Sequence, residues 1–414
     1  MKSKNIYKYD VCIIGGGAAG LFCAINIKNK RPDINVAILE RQKDIGRKLL
    51  ATGNGRCNLT NINADASMYH GSFKKAAAQL LDTCSPQFIT ELFAEMGLIT
   101  TIDPEGRVYP YSKHSASVLD CLRINCECLG VDIICECNLV DLNKKDDKFL
   151  LIDKDNRQFV CKKLIVASGS KATPETGADD SILHTIANKF NLRLTALSPA
   201  LCPVTVKSKT LHKLKGVRAN GAAAVFVNGR EIKKEYGEIQ FTDKALSGIC
   251  LFNLSRIVNT SDASFLRLSL LPHMSEYEIT EFLYSKTRSI LKDTLAENLL
   301  CGVFHKKLSY ALLTEAGIDS NRTLNSITKD EIRRLSKLIN NWDFHTIPSN
   351  DFTRAQVVAG GIDGCEITPE TMECKKVNNL YIIGEAIDCD GDCGGLNLQF
   401  AFASGYCAAT EITK

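Results

Sequence analysis

Three rhythms of apolar and polar positions divide this chain. In "YDVCIIGGGAAGLFCAINIKNK" an unbroken apolar run at residues 11–14 predicts a buried strand. Glycines follow, and then Leu21, Phe22, Ile25 and Ile27 fall at helical spacing until Pro32 stops the helix. "INVAILE" predicts a second strand ending at Glu40, so the chain opens as a βαβ unit. Helical spacing returns at 73–96 and 113–129. From 131 to 166, short alternating runs between charged turns predict a β-meander returning into a sheet strand at 164–167. From 193 to 275 the period is mostly that of strands, and Asn-Gly in "VNGRE" marks a tight hairpin. From 276 to 340 the pattern is helical, with Ser275 and the Thr of "TKDEIRRLSKLINNW" as N-cap candidates. Strand character resumes in "AQVVAGGI" and "NLYIIGEA", and a last helix is predicted over Leu396–Ile412.

This order predicts an α/β fold. A Rossmann-like domain spans 1–192 and 350–414, interrupted by a β-rich insertion at 193–275 and 341–349, which in turn carries a small helical domain at 276–340. The length, 414 residues, is more than one core usually serves and agrees with several domains. Apolar residues at 45% and charged residues at 24% are globular proportions. No apolar run approaches the roughly 18 residues of a membrane span. "MKSKNIYKYD" shows no secretory apolar core, so a cytoplasmic protein is expected.

Eighteen cysteines are many, but there is no Cys-x-x-Cys. The near misses, Cys126/Cys128, Cys135/Cys137 and Cys389/Cys393, have no His at ligand spacing, so no metal is expected and most cysteines read as small buried apolar side chains. Net charge is +4, with mixed signs along the chain. The short basic stretch "KSKTLHKLKGVR" reads as a solvated face, and neither a nucleic-acid partner nor a membrane is expected.

The chemistry lies in the glycines. Gly15, Gly17 and Gly20 form G-x-G-x-x-G between a strand and a helix. The first glycine allows the tight turn, the second admits a pyrophosphate, and the third lets helix and strand pack closely. Ala18 and Ala19 open the helix, whose free N–H groups suit phosphates. Glu40 follows Gly20 by 20 residues at a strand end, where an acid can bond ribose hydroxyls and repel a 2′-phosphate. Polar, glycine-rich stretches also occur at 47–61 ("RKLLATGNGRCNLTN"), 165–170 ("IVASGS") and 382–405. Several distant loops around one long ligand suit a flavin cofactor, FAD, better than a simple nicotinamide enzyme. Gly384 and Glu385 end a strand, while Gly394, Gly395, Asn397, Leu398 and Gln399 start the last helix, whose positive end suits the flavin edge that gains negative charge on reduction.

The segments "YDVCIIGGGAAG", "LERQKDIGRKLLATGNGRCNLTN", "GRVYPYSKHSASVL", "TRAQVVAGGI" and "LYIIGEAIDCDGDCGGLNLQFAFASG" resemble the signature segments of the BaiN-type flavoproteins. These are NAD(P)/FAD-dependent oxidoreductases, also known as aminoacetone-oxidase-like. The resemblance runs in order across nearly the whole chain and is thinnest at 200–345. It implies a glutathione-reductase-type FAD domain interrupted by a β-barrel-like insertion with a small helical domain. It also implies non-covalent FAD, with contacts at the fingerprint glycines, at Glu40 and Arg41, and from Arg47, Lys48, Thr52, Gly53, Gly55, Arg56, Cys57 and Asn58. Further contacts are implied near Val140, at Ala167, Ser168 and Gly169, and at Glu385, Asp388 and the C-terminal glycines. Arg47 and Lys48 would neutralise pyrophosphate charge. The chain departs from many members in carrying Cys389 and Cys393.

There is no second G-x-G-x-x-G, so NAD(P)H would dock transiently as a co-substrate. Three readings follow: hydride transfer between NAD(P)H and a small enone or steroid-like substrate, an oxygen-using amine oxidase, and a non-catalytic or RNA-associated flavoprotein. The near-neutral charge balance disfavours the third. Catalytic residues remain unassigned. "EGRVYPYSKHS" offers Arg107, Tyr109, Tyr111, Ser112 and His114, as a general acid and anion holder or as a plain turn and helix cap. His273 and His305 could face a substrate or be ordinary surface or core residues.

Overall fold

The run "IYKYDVCII" forms β1 (Ile6–Ile14), whose last four residues are buried, as an apolar run covered on both faces must be. The computed structural model describes residues 6–261 and 263–414, so the first five residues of the leader reading lie outside the described part. Helix α1 (Ala18–Lys30) is apolar all round, and Leu21, Phe22, Ile25 and Ile27 are fully buried. Burial of each such side chain contributes about 1.5–3 kcal/mol. β2 (Val36–Leu39) pairs in parallel with β1 and completes the βαβ unit.

The meander resolves into β3 (Asp132–Ile134), β4 (Leu139–Lys145), β5 (Lys148–Asp153) and β6 (Gln158–Val166). β3 adds in parallel to β2, and β6 adds in parallel to the other side of β1. The free edge of β6 is then shared. β5 pairs antiparallel with its first half, Gln158–Cys161, while β7 (Leu380–Ile382) pairs in parallel with Leu164–Val166. The result is a seven-stranded mixed sheet. The last helix, α2 (Leu396–Ile412), packs beside α1 so closely that a Cβ on Gly405 would lie 2.9 Å from the Ala19 carbonyl oxygen.

Contacts divide the chain into two compact units, one running to Ser198 and resuming at Phe352–Lys414, the other Pro199–Asp351. In the second unit the strands Val204–Lys207, Ala245–Ser247, Arg230–Phe241, Arg218–Val227, Ser264–Ser269 and Trp342–Thr346 close into a barrel in that spatial order. The Asn-Gly turn joins two of them, with both central residues at positive φ (Asn228 52°, Gly229 78°). The helices Glu276–Thr287, Lys306–Glu315 and Lys329–Asn340 bury Ile279, Leu283, Leu308, Leu312, Ile332 and Leu335 in the same core as the barrel's Val225, Leu266 and Phe344. The segment 276–340 is therefore continuous with the barrel unit and not a body of its own.

Local signals decide most boundaries. Ser275 and Thr328 each form a capping box with a Glu three residues on. The helical stretch at 73–96 is two helices, Lys74–Thr83 and Pro86–Glu95, because the Ser85 hydroxyl accepts from the Phe88 N–H and Pro86 occupies the first helical position. The helix Ile249–Asn259 lies in a stretch expected to be mostly strand, and the helix Ser181–Lys189 in one given no element from the sequence. Their apolar positions, such as Cys250, Leu251, Leu254 and Val258, recur at three and four.

Two outcomes follow. Thr328→Ala removes the cap of Lys329–Asn340 and should lower stability by about 1 kcal/mol in urea unfolding. Burial pushes the Cys57 and Cys126 thiols from 9.0 up to about 12. The unfolded chain ionises first, so each thiol's contribution to stability should be level below pH 9 and then fall by about 1.4 kcal/mol per pH unit up to pH ~12, as read by urea midpoints over that alkaline range.

Candidate functional site

The turn after β1 is set by approach distances that exclude side chains. Gly15, at φ 105°, would place a Cβ 2.4 Å from the Ala167 carbonyl oxygen, and Gly20 would place one 2.2 Å from the Gly15 carbonyl oxygen. Gly17 is different, since nothing lies within 4 Å of its Cβ position. It is the N-cap of α1, without a side-chain cap and without an acid in the first turn. The first N–H groups of Ala18 and Ala19 therefore stand at a positive helix end that no side chain caps. Glu40 does more than its position suggested. Its two oxygens accept from the Gly16 and Gln42 N–H groups, both at 2.8 Å, so it braces the glycine turn.

The polar loop at 47–58 docks on this turn. The Gly46 N–H donates to the Gly16 carbonyl at 2.9 Å, and the short helix Arg47–Ala51 follows. Thr52 caps its end, donating from Oγ1 to the Leu49 carbonyl at 2.6 Å. Gly53, Asn54 and Gly55 all take positive φ, which folds the loop into a tight coil. Lys48 forms an ion pair with Glu385, whose other oxygen accepts from the Val358 N–H at 2.9 Å. Glu385 thus holds the loop rather than standing free. Arg47 donates to the Gln42 Oε1 at 3.0 Å. Arg56 lies over the Tyr109 ring, 5.2 Å from its centroid. Cys57 is fully buried.

The C-terminal segment meets the same place. Gly384 would set a Cβ 3.0 Å from that of Ala19, and Gly395 would set one 2.9 Å from the Asn58 Oδ1. Gly394 accepts from the Asn61 amide at 3.2 Å. Gly395 caps α2 with no side-chain bond and no acid in the first turn, so a second positive helix end stands beside Asn58. Three residues assigned here from the sequence hold the segment itself in place. Asn397 bonds both the N–H and the carbonyl of Gly391, Gln399 is buried between the Thr60 hydroxyl (2.7 Å) and the Cys84 carbonyl (2.5 Å), and Asp388 accepts from the Ser72 N–H at 3.0 Å. Leu398 packs against the core.

Two buried polar atoms at this junction, Asn58 Oδ1 and Ser168 Oγ, have no hydrogen-bond partner among the described residues. An unpaired buried polar atom costs about 1–3 kcal/mol. Gly169, next to Ser168, has nothing within 4 Å of its Cβ position, as does Gly55. Two helix N-termini, open glycines and unpaired polar atoms together fit a bound dinucleotide that supplies the missing partners.

A pocket continues from the turn, lined by Gly15, Glu40, Arg41 and Ser168 together with Asn138, Leu139, Asp179 and Ile182. Arg41 is held by Asp179 (3.1 Å) and by the Gly177 carbonyl. Val140, assigned from the sequence, is 56% exposed, and its neighbours Asn138 and Leu139 line the pocket instead. Strand alternation separates Val140 from Leu139, while Asn138 lies just ahead of the strand. Asp179 and Ile182 were missed because no motif marks them; only the helical spacing of 181–189 could have drawn attention to them.

Among the candidate acids, His114 and His305 are helix N-caps, each accepting an N–H through Nδ1 (3.4 and 3.2 Å). His273 stacks on Tyr236. Ser112 bonds Ser117 at 2.8 Å, Tyr111 is 72% exposed, and Arg107 is paired with Asp103 and Glu105. Tyr109 alone is buried against the loop, 3.8 Å from the Gly53 Cβ position. Burial raises its hydroxyl, partly opposed by Arg107 and Arg56. Cys389 is buried, and burial pushes the Cys393 thiol up to about 11. Among the described residues no group of three or more His, Cys, Asp or Glu forms a metal site, and no helix is long and apolar enough to cross a membrane.

The chain is 34% identical over 406 residues, 97% of its length and 98% of the relative's, to a 3-dehydro-bile acid delta(4,6)-reductase of Clostridium scindens. It is 29% identical over 408 residues to a ribosomal RNA dihydrouridine synthase of Haemophilus influenzae, again covering 97% of this chain and 98% of the relative. The structure of a 3-ketosteroid-delta4-(5alpha)-dehydrogenase from Rhodococcus jostii RHA1 is similar in fold, with a TM-score of 0.51, 13% identity, and coverage of 100% of this chain and 98% of that one. The family described as HI0933-like protein Rossmann domain matches residues 9–411, nearly the whole chain, and with the glycine turn, the docked loop and the two helix ends in place, this protein belongs to that family.

Proposed function

We propose that the protein is an FAD-dependent oxidoreductase that reduces a carbon–carbon double bond conjugated to a carbonyl, in a steroid-like substrate, with NAD(P)H as transient electron donor. The observation that carries the substrate class is the 34% identity, over almost the full length of both chains, to a bile acid reductase. The cofactor rests on the cradle: the open Gly17, the uncapped α1 and α2, and the unpaired Asn58 and Ser168.

Bound there, the flavin would supply hydride transfer at its N5. The α1 N-terminus and the N–H groups of Ala18 and Ala19 would hold the pyrophosphate. Lys48 would add positive charge nearby while staying tied to Glu385, and Arg41 with Asn138 and Leu139 would border the adenosine end. Asn58 and the α2 N-terminus would hold the flavin ring edge. Tyr109 is the proton source in this reading. Its ring is buried, and burial raises its hydroxyl above the ordinary tyrosine value, so it is kept as a donor that can give a proton to the carbon next to the carbonyl.

A second reading shares the chemistry. The relatives named as ribosomal RNA dihydrouridine synthases favour a uracil ring as substrate, whose reducible double bond is also conjugated to a carbonyl. Tyr109 would serve the same role there.

Anaerobic mixing tests the donor and the acceptor. NADH or NADPH should bleach the flavin, and a 3-keto-4-ene steroid should restore its colour; bleaching by amines alone, or by neither nicotinamide, would overturn the reading. Tyr109→Phe should lower acceptor turnover about 100-fold while leaving flavin reduction by the nicotinamide unchanged. Gly17→Val fills open space at an extended position, so it should keep the melting profile within about 1 kcal/mol of the parent but lower FAD affinity at least tenfold or so, measured by flavin fluorescence after ultrafiltration.

A further inference from the structure

The barrel unit carries a second cavity, which the flavin reading does not use. It is open, about 330 Å³, and lined by Tyr284, Thr287, Arg288, Lys292, Asn325 and Lys329, with Ile327 beneath. Three cations thus share one concavity without a carboxylate in its lining. Of the acids beside them in sequence, Asp330 and Glu331 pair with arginines outside the lining, Arg333 (3.2 Å) and Arg322 (2.7 Å), while Asp293 accepts from a lining amide, that of Asn325 (2.9 Å).

Two of the three cations are held in place by one ring. The Arg288 guanidinium lies 4.1 Å from the Tyr284 ring centroid and donates to the Tyr284 hydroxyl, while the Lys329 Nζ lies 4.9 Å from the same centroid. Arg288 and Lys329 are therefore no more than about 9 Å apart across one ring. Like charges so arranged repel, and a surface that needed only solubility would intersperse them with acids.

We propose that this cavity binds a compact oligophosphate, either free or as the phosphate tail of a nucleotide. A single carboxylate would use one of the three cations. A chain of phosphates presents several negative charges and tetrahedral oxygens to a guanidinium fork and two ammonium groups at once. The Asn325 amide and the Thr287 hydroxyl in the lining are already bonded, to Asp293 and Thr323 and to the Tyr284 carbonyl, so the three cations are the main contacts. Compactness follows from the flanks. Asp293 and Asp330 follow directly on Lys292 and Lys329, so an acid interrupts the basic run at the C-terminal side of both segments and works against a long polymer backbone there. The aromatic ring is already covered by cations, so a stacked base is not the main contact.

The test is calorimetric titration of the full-length, FAD-saturated protein with sodium tripolyphosphate, ATP, adenosine and a short single-stranded RNA. Saturation keeps ATP from the dinucleotide cradle. Tripolyphosphate and ATP should bind at one site with similar affinity, adenosine should give no heat, and affinity should fall as potassium chloride rises. The triple variant Arg288→Ala, Lys292→Ala, Lys329→Ala should weaken tripolyphosphate at least about tenfold, and Lys292→Gln alone about threefold, with melting curves as the control for folding. Should the triple variant fail to fold, Lys292→Gln decides. No heat with millimolar tripolyphosphate, affinity unchanged in the folded variants, or RNA binding here that tripolyphosphate cannot displace would overturn the assignment.

Discussion

The closeness of α1 to the turn that precedes it governs the first unit. With a carbonyl 2.2 Å from where a side chain would begin, Gly20 admits no other residue without moving the helix or the strand. That approach aims the α1 N-terminus at the open end of the sheet, brings Gly16 to Glu40 and Gly46, and sets the floor on which the loop at 47–58 rests. Residues far apart in the chain then meet: Lys48 with Glu385, Ala19 with Gly384, Asn58 with Gly395. The site is a consequence of helix packing before it is a consequence of any polar contact.

Much of this was readable in advance, for identifiable reasons. The βαβ opening announces itself because a doubly covered parallel strand needs an unbroken apolar run, and because the glycine spacing has one steric solution. The capping boxes at Ser275 and Thr328 and the Asn-Gly hairpin are local devices, legible wherever the backbone alone decides. The helix Ile249–Asn259 was hidden among strands: its apolar positions recur at three and four, but short apolar runs fit either period. The union of the 276–340 helices with the barrel core was beyond reach, since it depends on long-range packing that no window of sequence contains.

The candidate site shows the same division. The glycines could be placed because their reason is steric and local. The roles of Glu385, Asp388, Asn397 and Gln399 could not, because a polar side chain beside a cofactor and one bracing the loop that carries it look alike in sequence. Glu385 turned out to hold Lys48, and Gln399 to join Thr60 with Cys84. Tyr109 stood out from its neighbours only once burial separated it from the exposed Tyr111.

The Thr60–Gln399 bond spans 339 positions of chain, and the Lys48–Glu385 pair spans 337. Such separations make closure of the first unit a late event in folding, since the entropy of joining distant segments is lost before their contacts form. The barrel unit lies wholly inside that loop and has its own core, so it can consolidate while the ends are still apart. During synthesis the dinucleotide cradle would stay half-built until the segment at 384–399 has emerged, leaving the early strands to wait exposed for their last partners.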